Sequence, residues 1–144
     1  MKSLTLLTLI CAFSFSAIAD KSHCLAVEDA WVRLTPPGAK NTAAYMTIKN
    51  SCEKDISISS IKVDISKHTM LHKTTHKDGM MKMEHMHHIV VPAKGQVELK
   101  PGELHLMVMG ISNPDTKTEV LGEIKTPDDD NLKFTLKYSR GPSK

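Results

Sequence analysis

Between His68 and His88 the chain carries six histidines (His68, His72, His76, His85, His87, His88) and five methionines (Met70, Met80, Met81, Met83, Met86), so 11 of 21 residues are potential ligands for a soft or borderline metal. Thioether sulfur selects soft Cu(I), and imidazole binds it too, whereas zinc sites favour His, Cys and carboxylate. This composition therefore favours copper(I). A shorter pattern, His105-Leu106-Met107, lies downstream. In an extended strand, residues two apart share one face about 6.8 Å apart along the backbone. His105 and Met107 then point the same way, while Leu104, Leu106 and Val108 face a core. The same period groups Met70 with His72 and Met81 with Met83. Lys77-Asp78-Gly79 reads as a hairpin turn that sets His72 and Met83 on adjoining strands. A third strand bringing His105 and Met107 alongside would complete a four-donor site.

The elements able to position these donors are short β-type runs punctuated by turn residues, at 26–34, 43–49, 56–63, 69–75, 80–88, 96–99, 105–109, 119–125 and 132–138. No helix of ordinary length appears among them. Many short strands at this spacing predict an all-β antiparallel sandwich or barrel. In the run from Leu132 to Tyr138, residues Leu132, Phe134, Leu136 and Tyr138 share one face and the lysines take the other, as in a half-buried strand.

The first residues set the compartment. Lys2, an apolar run from Leu4 to about Ile18, and the small-x-small Ala17-Ile18-Ala19 read as a secretory signal peptide over 1–19, leaving one domain over 20–144. The run is too short and poorly flanked for a membrane anchor, so no stable membrane insertion is expected after cleavage. The chain has 19 Lys+Arg and 16 Asp+Glu. Loss of Lys2 with the leader leaves a formal charge of +2, which gives no support for nucleic-acid or membrane-surface binding. Cys24 and Cys52 remain after cleavage, and in an oxidising compartment they are expected to pair as a disulfide. Thioethers suit the same compartment, because they cannot be lost to disulfide formation.

The spacing His72, ten residues, Met83, twenty-one residues, His105, one residue, Met107 resembles the H-x10-M-x21-H-x-M pattern of the periplasmic copper chaperones called PCuAC. The resemblance extends through Ala30-Trp31-Val32-Arg33, Pro36-Pro37-Gly38, Ala43-Ala44-Tyr45-Met46-Thr47, Val91-Pro92-Ala93 and Leu99-Lys100-Pro101-Gly102, and from Leu104 to Gly110. It implies a cupredoxin-like β-sandwich or Greek-key barrel in the periplasm, acting as a monomer without enzymatic activity. It also implies a Cu(I) site of His72, Met83, His105 and Met107, whose metal passes to an acceptor: the CuA centre in subunit II of cytochrome c oxidase, or its assembly factors. The chain departs from the pattern in being richer in donors at His85, Met86, His87 and His88. With His68 and His76, these are candidate auxiliary ligands for a second copper, as Cu(II).

Other readings use the same residues. A periplasmic copper buffer or resistance protein needs the same ligands and differs only in whether a partner takes the metal. A blue-copper electron carrier needs a Cys thiolate beside two His and an axial Met, and both cysteines lie far in sequence from the cluster. No HExxH, nucleophile elbow or acid/base constellation marks an enzyme. Met46, alternating with Ala44 and Ile48, reads as core, and Trp31 as a packing residue.

Overall fold

Period-two burial runs through the strands, as in Asn41–Asn50, where Ala44, Met46 and Ile48 are buried. The structure is a computed structural model that describes residues 24–111, 119–128 and 131–141. The expected leader over 1–19 and His23 lie outside the described residues. The strands are β1 (Leu25–Arg33), β2 (Asn41–Asn50), β3 (Ile56–Ile58), β4 (Ser60–Val63), β5 (His68–Lys77), β6 (Met80–Met86), β7 (Ile89–Val91), β8 (Gln96–Leu99), β9 (Leu104–Met109), β10 (Glu119–Lys125) and β11 (Leu132–Ser139). One sheet runs β4-β10-β11-β1-β2-β9-β5-β6 with β8 beside β2, and β3 pairs with β7 separately.

The long sheet folds back on itself, so that the Thr69 hydroxyl of β5 donates a hydrogen bond to the Ile61 carbonyl of β4, near the other end of the strand order. Val32, Ala44, Met46, Ile48, Leu71, Leu106 and Val108 from one half meet Ile61, Val63, Val120, Ile124 and Leu136 from the other in a single core. This is the all-β sandwich expected. Met46 is core, and the lysines of β11 are exposed opposite its apolar face.

Three details differ from the sequence reading. The run 80–88 ends early: β6 stops at Met86, the chain bends, and a further strand that the reading did not list, β7, pairs with β3. Its reason is burial, because Ile89 and Val91 enter the core from the second sheet. The run 56–63 is divided at Ser59, with β3 paired to β7 and β4 to β10. One pairing is parallel, Trp31–Arg33 of β1 with Lys137–Ser139 of β11. A register shift between Glu28 and Trp31, with Asp29 at φ 49°, bends β1, as β-bulges do.

Cys24 and Cys52 form a disulfide at the Leu25–Asn50 end of the β1–β2 pair. At the hairpin, Asp78 (φ 52°) and Gly79 (φ 74°) both lie in the left-handed region. That is the two-residue type I′ turn whose twist matches paired strands.

Candidate metal centre

Three adjacent strands, β9, β5 and β6, carry the donors. Directly opposed residues of antiparallel strands share a face, and the register sets His105 opposite His72 and His72 opposite His85. The row above holds Met107 opposite Met70, and beyond it Met109 faces His68. Toward the turn, Met83 lies opposite Thr74, and Met81 opposite His76. Leu71, Leu106 and Met86 fall on the other face, packed into or against the core. On one side this three-stranded ribbon is apolar at Leu71, Met86, Leu106 and Val108 and becomes polar toward the turn at Lys73, Thr75, Lys82 and Glu84, whereas the other side carries imidazole and thioether.

The row of imidazoles is closely set. The His72 ring centroid is 5.9 Å from that of His85 and 5.9 Å from that of His105, edge-on in both cases. His105 is buried, with 8% of its surface exposed. The β2–β9 pairing runs to Ala44–Leu106, next to His105 in sequence, and the following residue of β2, Tyr45, is covered by Trp31 (centroids 4.5 Å) and Arg33 (5.5 Å). Burial pushes the Tyr45 phenol up, against the pull of Arg33. Trp31 is a packing residue here.

The nitrogens are oriented for ligation. His105 Nδ1 lies 3.0 Å from the Glu103 carbonyl; a carbonyl only accepts, so Nδ1 carries the proton and Nε2 keeps its lone pair. Such a second contact is how proteins commonly fix the tautomer of a metal-binding histidine. His72 Nδ1 is buried with no hydrogen-bond partner among the described residues. Burial, followed by the neighbouring His105 and His85, pushes the His72 pKa below its ordinary value, so the ring is neutral and able to donate at neutral pH. Among the described residues no three His, Cys, Asp or Glu side chains converge as a ready metal centre. Thioethers are the donors that stand beside these imidazoles. Met107 is half-buried, whereas Met83 is 60% exposed on the edge strand.

The structure therefore brings His72, His105 and Met107 together on two paired strands, with Met83 one pair along the adjoining hairpin. Of the auxiliary candidates, His85 falls directly in the imidazole row, and His87 follows it with ring centroids 4.8 Å apart. Met86 turns to the core. His88 is exposed beyond the end of β6, and His68 and His76 sit toward opposite ends of β5. The sequence reading missed the rank of His85 and the pairing of Met70 with Met107. Counting back from the two-residue turn would have found the first, since it sets His72 against His85 and Met83 against Thr74. A larger cavity of about 750 Å³ opens elsewhere, lined by Lys62, Asp64, Lys67, Glu123 and Lys133 among others, with mixed charge and only His68 of the donor set.

A family model described as putative lipoprotein LpqE-like matches residues 25–141. No curated protein sequence matches the chain. Among solved structures, apo-DR1885 from Deinococcus radiodurans is 27% identical, with 98% of this chain and 97% of that one covered and a TM-score of 0.63. The CuI-DR1885 structure is likewise 27% identical, over 86% of this chain and 82% of that one, with a TM-score of 0.62. A copper-bound PCuAC domain from PmoF2 is 15% identical, over 81% of this chain and 92% of that one, with a TM-score of 0.65; at that identity the likeness is one of fold.

Proposed function

Since the chain belongs to the LpqE-like family, of the PCuAC type, we propose that it is an exported copper(I) chaperone of the periplasm, holding Cu(I) with His72, Met83, His105 and Met107. The observation that carries this reading is the outward row of His105, His72 and His85, in which the tautomer of His105 is set by Glu103 and thioethers flank the imidazoles on both sides. The solved relative at 27% identity in a Cu(I) form supports the choice of metal. Export is supported by the disulfide and by the lipoprotein description of the family.

The site is asymmetric, and this suits transfer. His105 and His72 form its sheltered base, whereas Met83 stands in solvent on the edge strand. A thioether is a weak single ligand, so an incoming donor from the acceptor displaces Met83 first. The imidazoles hold the ion meanwhile, and successive exchanges carry it across without a free-ion step. The acceptor is the CuA centre of cytochrome c oxidase subunit II. A blue-copper role does not fit, because Cys24 and Cys52 are joined to each other.

X-ray absorption on the Cu(I) protein is expected to show mixed nitrogen and sulfur ligation. The Met83→Ala/Met107→Ala variant is expected to bind Cu(I) at least tenfold more weakly. An all-nitrogen shell, or unchanged affinity in that variant, refutes the assignment. Anaerobic mixing with the CuA domain, followed by metal analysis of each separated protein, distinguishes delivery from storage: copper that stays with this chain identifies a buffer.

A further inference from the structure

The donor-rich segment after Met83 is divided by strand geometry, and the division picks out a second place for metal. Past Met86 the edge strand ends, leaving the Thr69–Met70 stretch of β5 without a β6 partner. A slot of about 230 Å³ opens there, between β5, the start of β4 and the exit of β6, and Met70, His85, Met86 and His87 line it. His85 and His87 are exposed, and their rings are 4.8 Å apart. Two imidazoles sharing one ion at metal–nitrogen distances of about 2 Å put their ring centroids about 5 Å apart. Met70, 42% exposed, is among the residues that line the same slot and brings a thioether to it. None of His87, Met70 and Met86 belongs to the four-donor site.

We infer that His85, His87 and Met70 form a second copper site in this slot, adjoining the His72/His105 site and separate from it. Two imidazoles with one thioether, and no thiolate, accept either copper oxidation state, so this site takes Cu(II) as well as Cu(I). Its position gives it a capture role. The His85 ring is 4.8 Å from His87 and 5.9 Å from His72, so an ion held in the slot lies one ligand exchange from the sheltered row. The inference rests on the copper reading of the protein but not on the choice of Met83 and Met107 as ligands.

The test is copper stoichiometry by equilibrium dialysis against Cu(II), and anaerobically against Cu(I), on the full mature chain. Wild type is expected to hold two copper ions per chain and the His87→Ala/Met70→Ala variant one, with the Cu(I) affinity of the remaining ion unchanged. Paramagnetic resonance of the second Cu(II) should show nitrogen coupling that disappears in the variant. Met70→Leu with His87→Gln, which keeps size and burial, guards against an effect of altered folding. The Met83→Ala/Met107→Ala variant should keep the second ion while losing tight Cu(I) binding, so the two sites fail independently. Equal copper content in wild type and both slot variants, or a wild type that binds a single ion, overturns the inference.

Discussion

Joining Cys24 to Cys52 closes a loop of sequence separation 28, and its removal tests both the stability of the sandwich and the identity of the metal donors. On the chain-entropy account, a closed loop of that length lowers the entropy of the unfolded chain by about 12 cal/mol/K, or about 3.6 kcal/mol at 25 °C. For a domain of this size that corresponds to a fall in Tm of roughly 10–20 °C. The bond lies at the Leu25–Asn50 end of the β1–β2 pair, whereas β9 meets β2 at the other end, over Asn41–Ala44. Copper binding should therefore not feel its loss. The assay is calorimetry of the metal-free Cys24→Ala/Cys52→Ala variant beside wild type, with Cu(I) affinity measured by chelator competition at low temperature, where both remain folded. A Tm shift below about 3 °C refutes the loop argument. A Cu(I) affinity reduced tenfold or more would mean the sulfurs reach the metal, and would undo the His/Met assignment.

Three further outcomes follow from the site. The His72 ring should titrate below the ordinary histidine value of about 6.5, as followed by proton NMR of the metal-free protein. Because the folded state takes up this proton less readily than the unfolded chain, the fold loses stability as pH falls from about 6.5 to the folded value; His72→Gln should flatten that dependence, and equal slopes would contradict it. Gly79→Ala places a Cβ at φ 74° in the hairpin turn and should cost about 1–2 kcal/mol, measured by denaturant unfolding; no loss would mean that the turn does not hold the register. Cu(II) added to the protein should give no intense blue thiolate band, and such a band would restore the electron-carrier reading.

Much of the site could be read locally. The alternation of His105 and Met107 with Leu104, Leu106 and Val108 separates the candidate donor face from the core face, and Lys77-Asp78-Gly79 marks the turn that pairs β5 with β6. What the pattern could not supply was long-range. That β9 lies beside β5 is a pairing between segments about thirty residues apart, and nothing in either segment's periodicity names its neighbour. The burial of His105 and its ring contact with His72 likewise come from strand pairing that its own segment does not announce. The strand β7 was missed because Ile89–Val91 is only three residues long, too short for its alternation to stand out, and it pairs with β3 in a different sheet. The parallel contact of β1 with β11 begins just past the register shift at Asp29, and it too joins segments more than a hundred residues apart.

Met83 stands 60% exposed at the rim of the donor row, and under the proposed copper-chaperone role that exposure would carry a chemical cost. Copper cycling between oxidation states in air generates peroxide, and an exposed thioether is oxidised to the sulfoxide. The sulfoxide offers a hard oxygen in place of a soft sulfur and discriminates against Cu(I). Oxidation of Met83 alone would leave the sheltered imidazoles of His72 and His105 in place but remove the sulfur proposed to give way first. A damaged molecule would hold its ion by a different set of contacts and release it on a different timescale. Since methionine sulfoxide is enzymatically reducible, the working lifetime of a protein that uses Met83 as proposed would be a balance between oxidation and repair at that exposed sulfur.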